Sequence, residues 1–137
     1  MSDINAAIGI VQLEKYKKMI EHKKAIARLY DDAFVDIPGI ITIQTNYENT
    51  ALFMYCVRIN KNRNRFINFL KEKGIPTGVH YLPSHKFSLY YNSKCILPIT
   101  EKIAGQIVTL PLYYDMTSKD AHQVINVISE YFKLNAR

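Results

Sequence analysis

Two histidines, a tyrosine, two prolines and two glycines crowd into the stretch Gly74-Ile75-Pro76-Thr77-Gly78-Val79-His80-Tyr81-Leu82-Pro83-Ser84-His85. An imidazole and a phenol both offer hydrogen bonds to oxygen acceptors, and imidazoles also bind metals. His80 and His85 lie five apart around a proline, as zinc ligands can, but the sequence supplies no apparent third ligand. Pro76 and Pro83 each fix a backbone angle and remove a donor, so the chain between them has a set entry and a set exit. Thr77 to Tyr81 reads as a short strand between those breakers. Its alternation puts Gly78 and His80 on one face and Val79 and Tyr81 on the other. The glycine leaves open surface beside the imidazole. On these residues alone, a strand end with a satisfied histidine outweighs a binding site. There is no Gly-rich phosphate loop, Walker lysine, CxxC, HExxH or nucleophile elbow. His22 and His122 read as solvated or packed helix residues.

The elements around this stretch follow from local signals. Ser2 and Asp3 open a helix that runs to about Phe34, where Pro38-Gly39 enforces a turn. Such a helix spans roughly 50 Å, more than a small domain needs. Its apolar stripe moves: Ile4, Ala7, Ile8 and Val11 share one face, and Leu13, Tyr16, Ile20, Ala27, Tyr30 and Phe34 share another. At about 100° per residue the second face is turned roughly 120° from the first. The second stripe is expected to point inward and the first to lie uncovered. Ile40–Gln44 reads as a short strand, and Leu52–Ile59 as an inner strand buried on both sides. Asn62 caps a helix from Arg63 to Lys73, with Phe66, Ile67, Phe69 and Leu70 inward and Gly74 at its end. Residues 82–98 form a long excursion carrying His85, Lys86, Phe87, Tyr90 and Tyr91. Thr100 caps a short helix with Ile103, Ala104 and Ile107 inward, and Val108–Leu112 is a brief extended piece. The capping box Thr117-x-x-Asp120 starts the last helix, to about Leu134. This order predicts an α+β fold, a short mostly antiparallel sheet flanked by helices with a long N-terminal connector helix.

The 137 residues fit one domain with its own core, and 48% hydrophobic with 22% charged is ordinary globular composition. No apolar run approaches a membrane span, and no secretion signal opens the chain. Cys56 and Cys95 sit in unlike settings, so a reducing cytoplasm is the simple inference. The net charge of +6 raises nucleic acid as a partner. The lysines of the first helix interleave with apolar positions as a solvated face would, and no nucleic-acid motif accompanies them, so this is the minority reading.

Three segments in order resemble the DegT/DnrJ/StrS sugar aminotransferases. Met1-Ser2-Asp3-Ile4-Asn5-Ala6-Ala7-Ile8-Gly9-Ile10-Val11-Gln12-Leu13 is similar to the helix that begins the second part of those enzymes. Gly74 to His85 resembles their GI-x-t-x-x-HY-x-P-x-H segment, and Thr109-Leu110-Pro111-Leu112 with Met116-Thr117 their sLPl…lt element. The resemblance implies a fold-type I pyridoxal-phosphate enzyme, dimeric, moving an amino group from glutamate onto a keto sugar nucleotide. It also implies a large N-terminal domain with the Schiff-base lysine, the pyridine-facing aspartate and the phosphate-binding groups, all outside this sequence. The expectation is therefore a single C-terminal small domain over 1–137, with 1–34 as connecting helix and 35–137 as α+β body, holding no cofactor and inactive alone. Its expected partners are the missing large domain, further copies of itself, and a nucleotide-sugar substrate in the complete enzyme. The resemblance carries substrate contact onto His80, Tyr81 and His85. A free-standing interaction or regulatory module derived from the enzyme is the alternative.

Overall fold

The computed structural model describes residues 1–90 and 95–135. Helix α1 runs unbroken over Asp3–Phe34, and the Ser2 hydroxyl accepts from the Asn5 amide at 3.4 Å. Only its last turns are packed, through Ile26, Ala27, Tyr30 and Phe34. Ile4, Ile8 and Val11 are exposed, as expected. Leu13 and Tyr16 are exposed too, against the expectation that the whole second stripe points inward. The reason is reach: α1 is about 48 Å long, whereas strands spaced roughly 4.8 Å apart make a narrow three-stranded sheet. The body covers one end of the helix and stops.

Strands β1 (Ile40–Thr42), β2 (Tyr55–Ile59) and β3 (Ile107–Leu110) form an antiparallel sheet in the order β1-β2-β3. β1 is shorter than the sequence suggested, ending at Thr42. Ile40 pairs with Ile59, Val57 with Val108, and Cys56 with Thr109. β2 corrects a second expectation. It is buried on one face only: Tyr55, Val57 and Ile59 point into the core, while Cys56 and Arg58 are half-covered. All the core-forming helices lie on one side, so the other side of the sheet, with Cys56 and Thr109, stays open.

Helix α2 (Arg63–Glu72) begins after Asn62, which adopts a left-handed φ of 58° and makes no side-chain cap bond, unlike the capping role its type suggested. The helix ends in a glycine stop: Gly74 takes φ 75°, its amide donates to the Lys71 carbonyl, and the Ile75 amide reaches Leu70 at 2.8 Å. Helix α3 (Pro98–Ala104) starts with Pro98 in its first turn rather than at Thr100. It buries no residue completely, and Ile107 belongs to β3. Helix α4 (Ser118–Leu134) has the expected capping box between Thr117 and Asp120. Those bonds from Thr117 hold the Asp120 carboxyl below the usual aspartate range. Ala121, Val124, Ile128 and Tyr131 of α4 join Phe66 and Leu70 of α2 in the core. Gly39, at φ 100°, lies against the Phe132 ring, where an added Cβ would stand 2.8 Å from the aromatic edge.

Thr77–Tyr81 is not a strand. Gly78 alone bridges to β3, exchanging both backbone bonds with Thr109 at 3.1 and 2.8 Å. Pro76 cannot donate to a ladder. Among its described residues the excursion holds a 3-10 turn over Ser84–Lys86; Tyr91 lies outside the described residues. No helix is long and apolar enough to cross a membrane among the described residues.

Candidate functional site

The Gly78–Thr109 bridge fixes one point of the His80 segment along the outer edge of β3. His80 folds back over Gly78, where an added Cβ would stand 2.5 Å from its Cε1. The two residues therefore share a face, but Tyr81 lines the same cleft as His80 instead of lying on the opposite face that a strand's alternation predicted. The space beside the imidazole is not open surface, however; the ring itself fills it. Its Nδ1 lies 3.0 Å from the Thr109 hydroxyl, which in turn lies 3.4 Å from the Cys56 thiol. The next ring is Tyr81, edge-on to His80 at 4.9 Å and 69% exposed.

His80, Tyr81 and Thr109 line a cleft of about 260 Å³ whose other walls are Phe53, Met54, Leu110 and Leu112. A second hollow of about 250 Å³ runs along Ile43 to Cys56 and shares Phe53 and Met54 with it. Phe53 is 75% exposed and stands between the two. Such a cleft has apolar walls, two hydrogen-bonding rings and a hydroxyl, which suits a ligand with oxygen acceptors on an apolar frame.

His85 is elsewhere. Its Nε2 is 3.1 Å from Glu101 of α3, and Lys86 meets the other carboxylate oxygen at 2.9 Å. Lys86 first, then His85, holds the Glu101 carboxyl below the usual glutamate range. Neither cleft has His85 in its lining. The structure thus brings His80 and Tyr81 together and places His85 in an ion-paired turn that braces the loop on α3. Sequence reading missed Thr109, Cys56, Phe53 and Met54. Their signal was weak: Thr109 and Cys56 are polar or soft residues inside apolar runs, and only strand register makes them neighbours.

A pyridoxal cofactor requires a lysine, an acid for its ring nitrogen and groups for its phosphate. Neither lining contains a lysine, an aspartate or an arginine. These clefts therefore do not fit that cofactor by themselves. Among the described residues no three histidine, cysteine or acidic side chains could hold a metal together. His22 donates from Nε2 to the Met116 carbonyl at 2.8 Å, and His122 from Nδ1 to that of Ser118 at 2.7 Å, so both are occupied structurally.

The model of the DegT/DnrJ/EryC1/StrS aminotransferase family matches residues 1–129. The chain belongs to that family. An uncharacterized protein of Methanocaldococcus jannaschii is 31% identical across 98% of this chain, which covers 38% of that protein. The aminotransferase TlmJ of Streptoalloteichus hindustanus has the same fold, with a TM-score of 0.92 at 24% identity over 100% of this chain and 38% of its own. Spr1654 of Streptococcus pneumoniae in its PLP form gives 0.87 at 25% identity, over 97% of this chain and 36% of its own. The aminotransferase-family chain described here therefore spans little more than a third of the length of these relatives. Among the described residues its α+β arrangement, four helices and a three-stranded antiparallel sheet, matches the fold of those two solved structures.

Proposed function

We propose that residues 1–137 are the C-terminal small domain of a cytoplasmic sugar-nucleotide aminotransferase, in surface-polysaccharide or amino-sugar biosynthesis. Residues 1–34 are its connecting helix and 35–137 its body. One observation carries this reading: the chain matches the aminotransferase family over residues 1–129 yet covers only 38% of an aminotransferase such as TlmJ. The cofactor, pyridoxal phosphate, belongs to a large domain in the complete enzyme, where it supplies the electron sink for moving an amino group from glutamate to a keto sugar nucleotide. The residues of this chain bind and orient. His80 and Tyr81 hydrogen-bond sugar or phosphate oxygens, and Phe53, Met54, Leu110 and Leu112 keep water from the sugar's apolar side. His85, through Glu101, holds the loop that carries them.

Mixed with pyridoxal phosphate, glutamate and a keto sugar nucleotide, the chain alone is expected to show no turnover, and to retain no cofactor absorbance once the free cofactor is removed by gel filtration. Catalysis by the purified chain would refute the small-domain reading. In the enzyme completed by its large domain, His80→Ala should raise KM for the sugar nucleotide about tenfold, the loss of one good hydrogen bond. The cofactor should stay bound. Unchanged kinetics would remove His80 from the site.

The uncovered face of α1 belongs in this reading against the large domain or a partner subunit. Ile4, Ile8 and Val11 are all exposed, and contiguous apolar surface seeks a partner. On its own the chain is expected to self-associate, with roughly 1.5–3 kcal/mol from each large side chain fully covered. Sedimentation should show wild type heavier than an Ile8→Lys variant. Equal sedimentation of the two would rule this out.

A further inference from the structure

We propose that Thr109, backed by the Cys56 thiol, is a positioning residue that fixes the His80 imidazole in the tautomer carrying its proton on Nε2, so that His80 offers a hydrogen-bond donor to an acceptor oxygen in the cleft. The proposal deepens the substrate-binding role of His80 and rests on that reading only for what the donor meets.

Three groups stand in line across the open side of the sheet. Cys56 and Thr109 are directly paired residues of β2 and β3. The thiol is 3.4 Å from the Thr109 hydroxyl, and the hydroxyl is 3.0 Å from His80 Nδ1. The hydroxyl has one proton to give and two neighbours. A neutral imidazole nitrogen is a strong acceptor; a thiol sulfur is a weak one. The hydroxyl proton therefore goes to Nδ1, and the thiol, itself a weak donor, gives its proton to the vacated hydroxyl oxygen. With Nδ1 accepting, the ring proton resides on Nε2, because the bond made at one nitrogen sets the state of the other.

The backbone holds this line in place. Thr109 cannot shift along the strand without breaking the paired amide bonds to Gly78 and the β2 register. The imidazole reaches Thr109 across Gly78, in the space that any side chain at Gly78 would fill. Among the described residues Nε2 has no hydrogen-bond partner, whereas Nδ1 has one. The free nitrogen belongs to a ring that forms part of the cleft wall. The other lining residues include no charged side chain, so the Nε2 proton is the strongest donor available there besides the Tyr81 hydroxyl.

Nitrogen-15 spectra of the imidazole rings, recorded at about pH 8, above the usual histidine range near 6.5, read the tautomer directly. In wild type, His80 should show a protonated Nε2 and an unprotonated, hydrogen-bonded Nδ1. Thr109→Val keeps the shape of the strand residue and should move both shifts toward a mixed tautomer. Thr109→Ser should restore them. Cys56→Ala should move them less than Thr109→Val does. A wild-type ring protonated on Nδ1, or a Thr109→Val spectrum identical to wild type, would overturn the proposal. The wild-type result decides even if Thr109→Val fails to fold. In the completed enzyme, Thr109→Val should raise KM for the sugar nucleotide several-fold with kcat less affected, and Thr109→Ser should recover it. A correct tautomer with an unmoved KM would overturn the claim that the donor meets substrate. An intact enzyme that transaminates nothing would instead refute the aminotransferase reading and leave the tautomer result standing.

Discussion

Replacing Phe66 with alanine is expected to lower the stability of the fold by about 3–5 kcal/mol, the usual cost of emptying a large aromatic site. Phe66 is fully buried on α2. Its ring meets Tyr131 edge-on at 5.1 Å and Phe132 at 5.9 Å, and so joins α2 to α4. These neighbours are aromatic rings fixed on a helix, which close poorly over a cavity. Domains of ordinary stability hold about 5–15 kcal/mol, so the loss removes a large share of the total. Urea denaturation measures it. Phe53→Ala serves as the control, since that ring is 75% exposed and should change stability by less than about 0.5 kcal/mol. A Phe66→Ala midpoint no lower than that of Phe53→Ala would contradict the assignment of the core.

Asp31→Ala should cost about 2–4 kcal/mol, because it orphans two hydroxyls at once. The Asp31 carboxylate on α1 accepts from Tyr55 at 2.6 Å and from Tyr47, while Arg28 lies over the Tyr47 ring at 5.4 Å. One side chain thus ties the helix to β2 and to the turn before it. Burial first, and then the bond to Asp31, raise both phenols above their ordinary value of 10.0. Burial raises Tyr30 likewise. The sign follows: a group whose pKa is raised by folding stabilises the fold fully below its unfolded value and loses that contribution as pH rises through the folded one. Stability should therefore hold up to about pH 10 and decline above it. In Asp31→Ala the decline should be shallower. Urea midpoints measured on both sides of pH 10 test this, and a wild-type midpoint that is flat or rising there would contradict it.

What the sequence disclosed was what neighbours along the chain decide. The Ser2 cap, the Gly74 stop and the Thr117–Asp120 box are local events, and all three occur as read. Asn62 was local too, but its left-handed backbone carries its side chain away from the cap. Leu52–Ile59 reads as doubly buried because Met54 and Cys56 are apolar enough to hide the alternation. Only the placement of every core helix on one side reveals the open face. Thr77–Tyr81 has strand-like residues yet finds a partner only at Gly78. The adjacency of His80 and Tyr81 was legible because they adjoin in sequence. Their link to Thr109 and Cys56 was not, because it depends on how β2 and β3 align across a long separation. His85 and Glu101 met for the same kind of reason, through a loop whose path no local rule dictates.

Helix α1 is anchored at one end only, and this divides its order between two sources. From Ile26 onward, opening a turn means pulling Tyr30 and Phe34 out of the core, so amide protons there exchange only with the unfolding of the body. From Asp3 to about Lys18 no side chain is buried, and a helix of that length is marginal in water. Its amides are protected by little more than helix propensity, and their exchange should slow only when something is laid against Ile4, Ile8 and Val11. The same rod therefore serves as a structural member at its far end and as a gauge of occupancy at its near end.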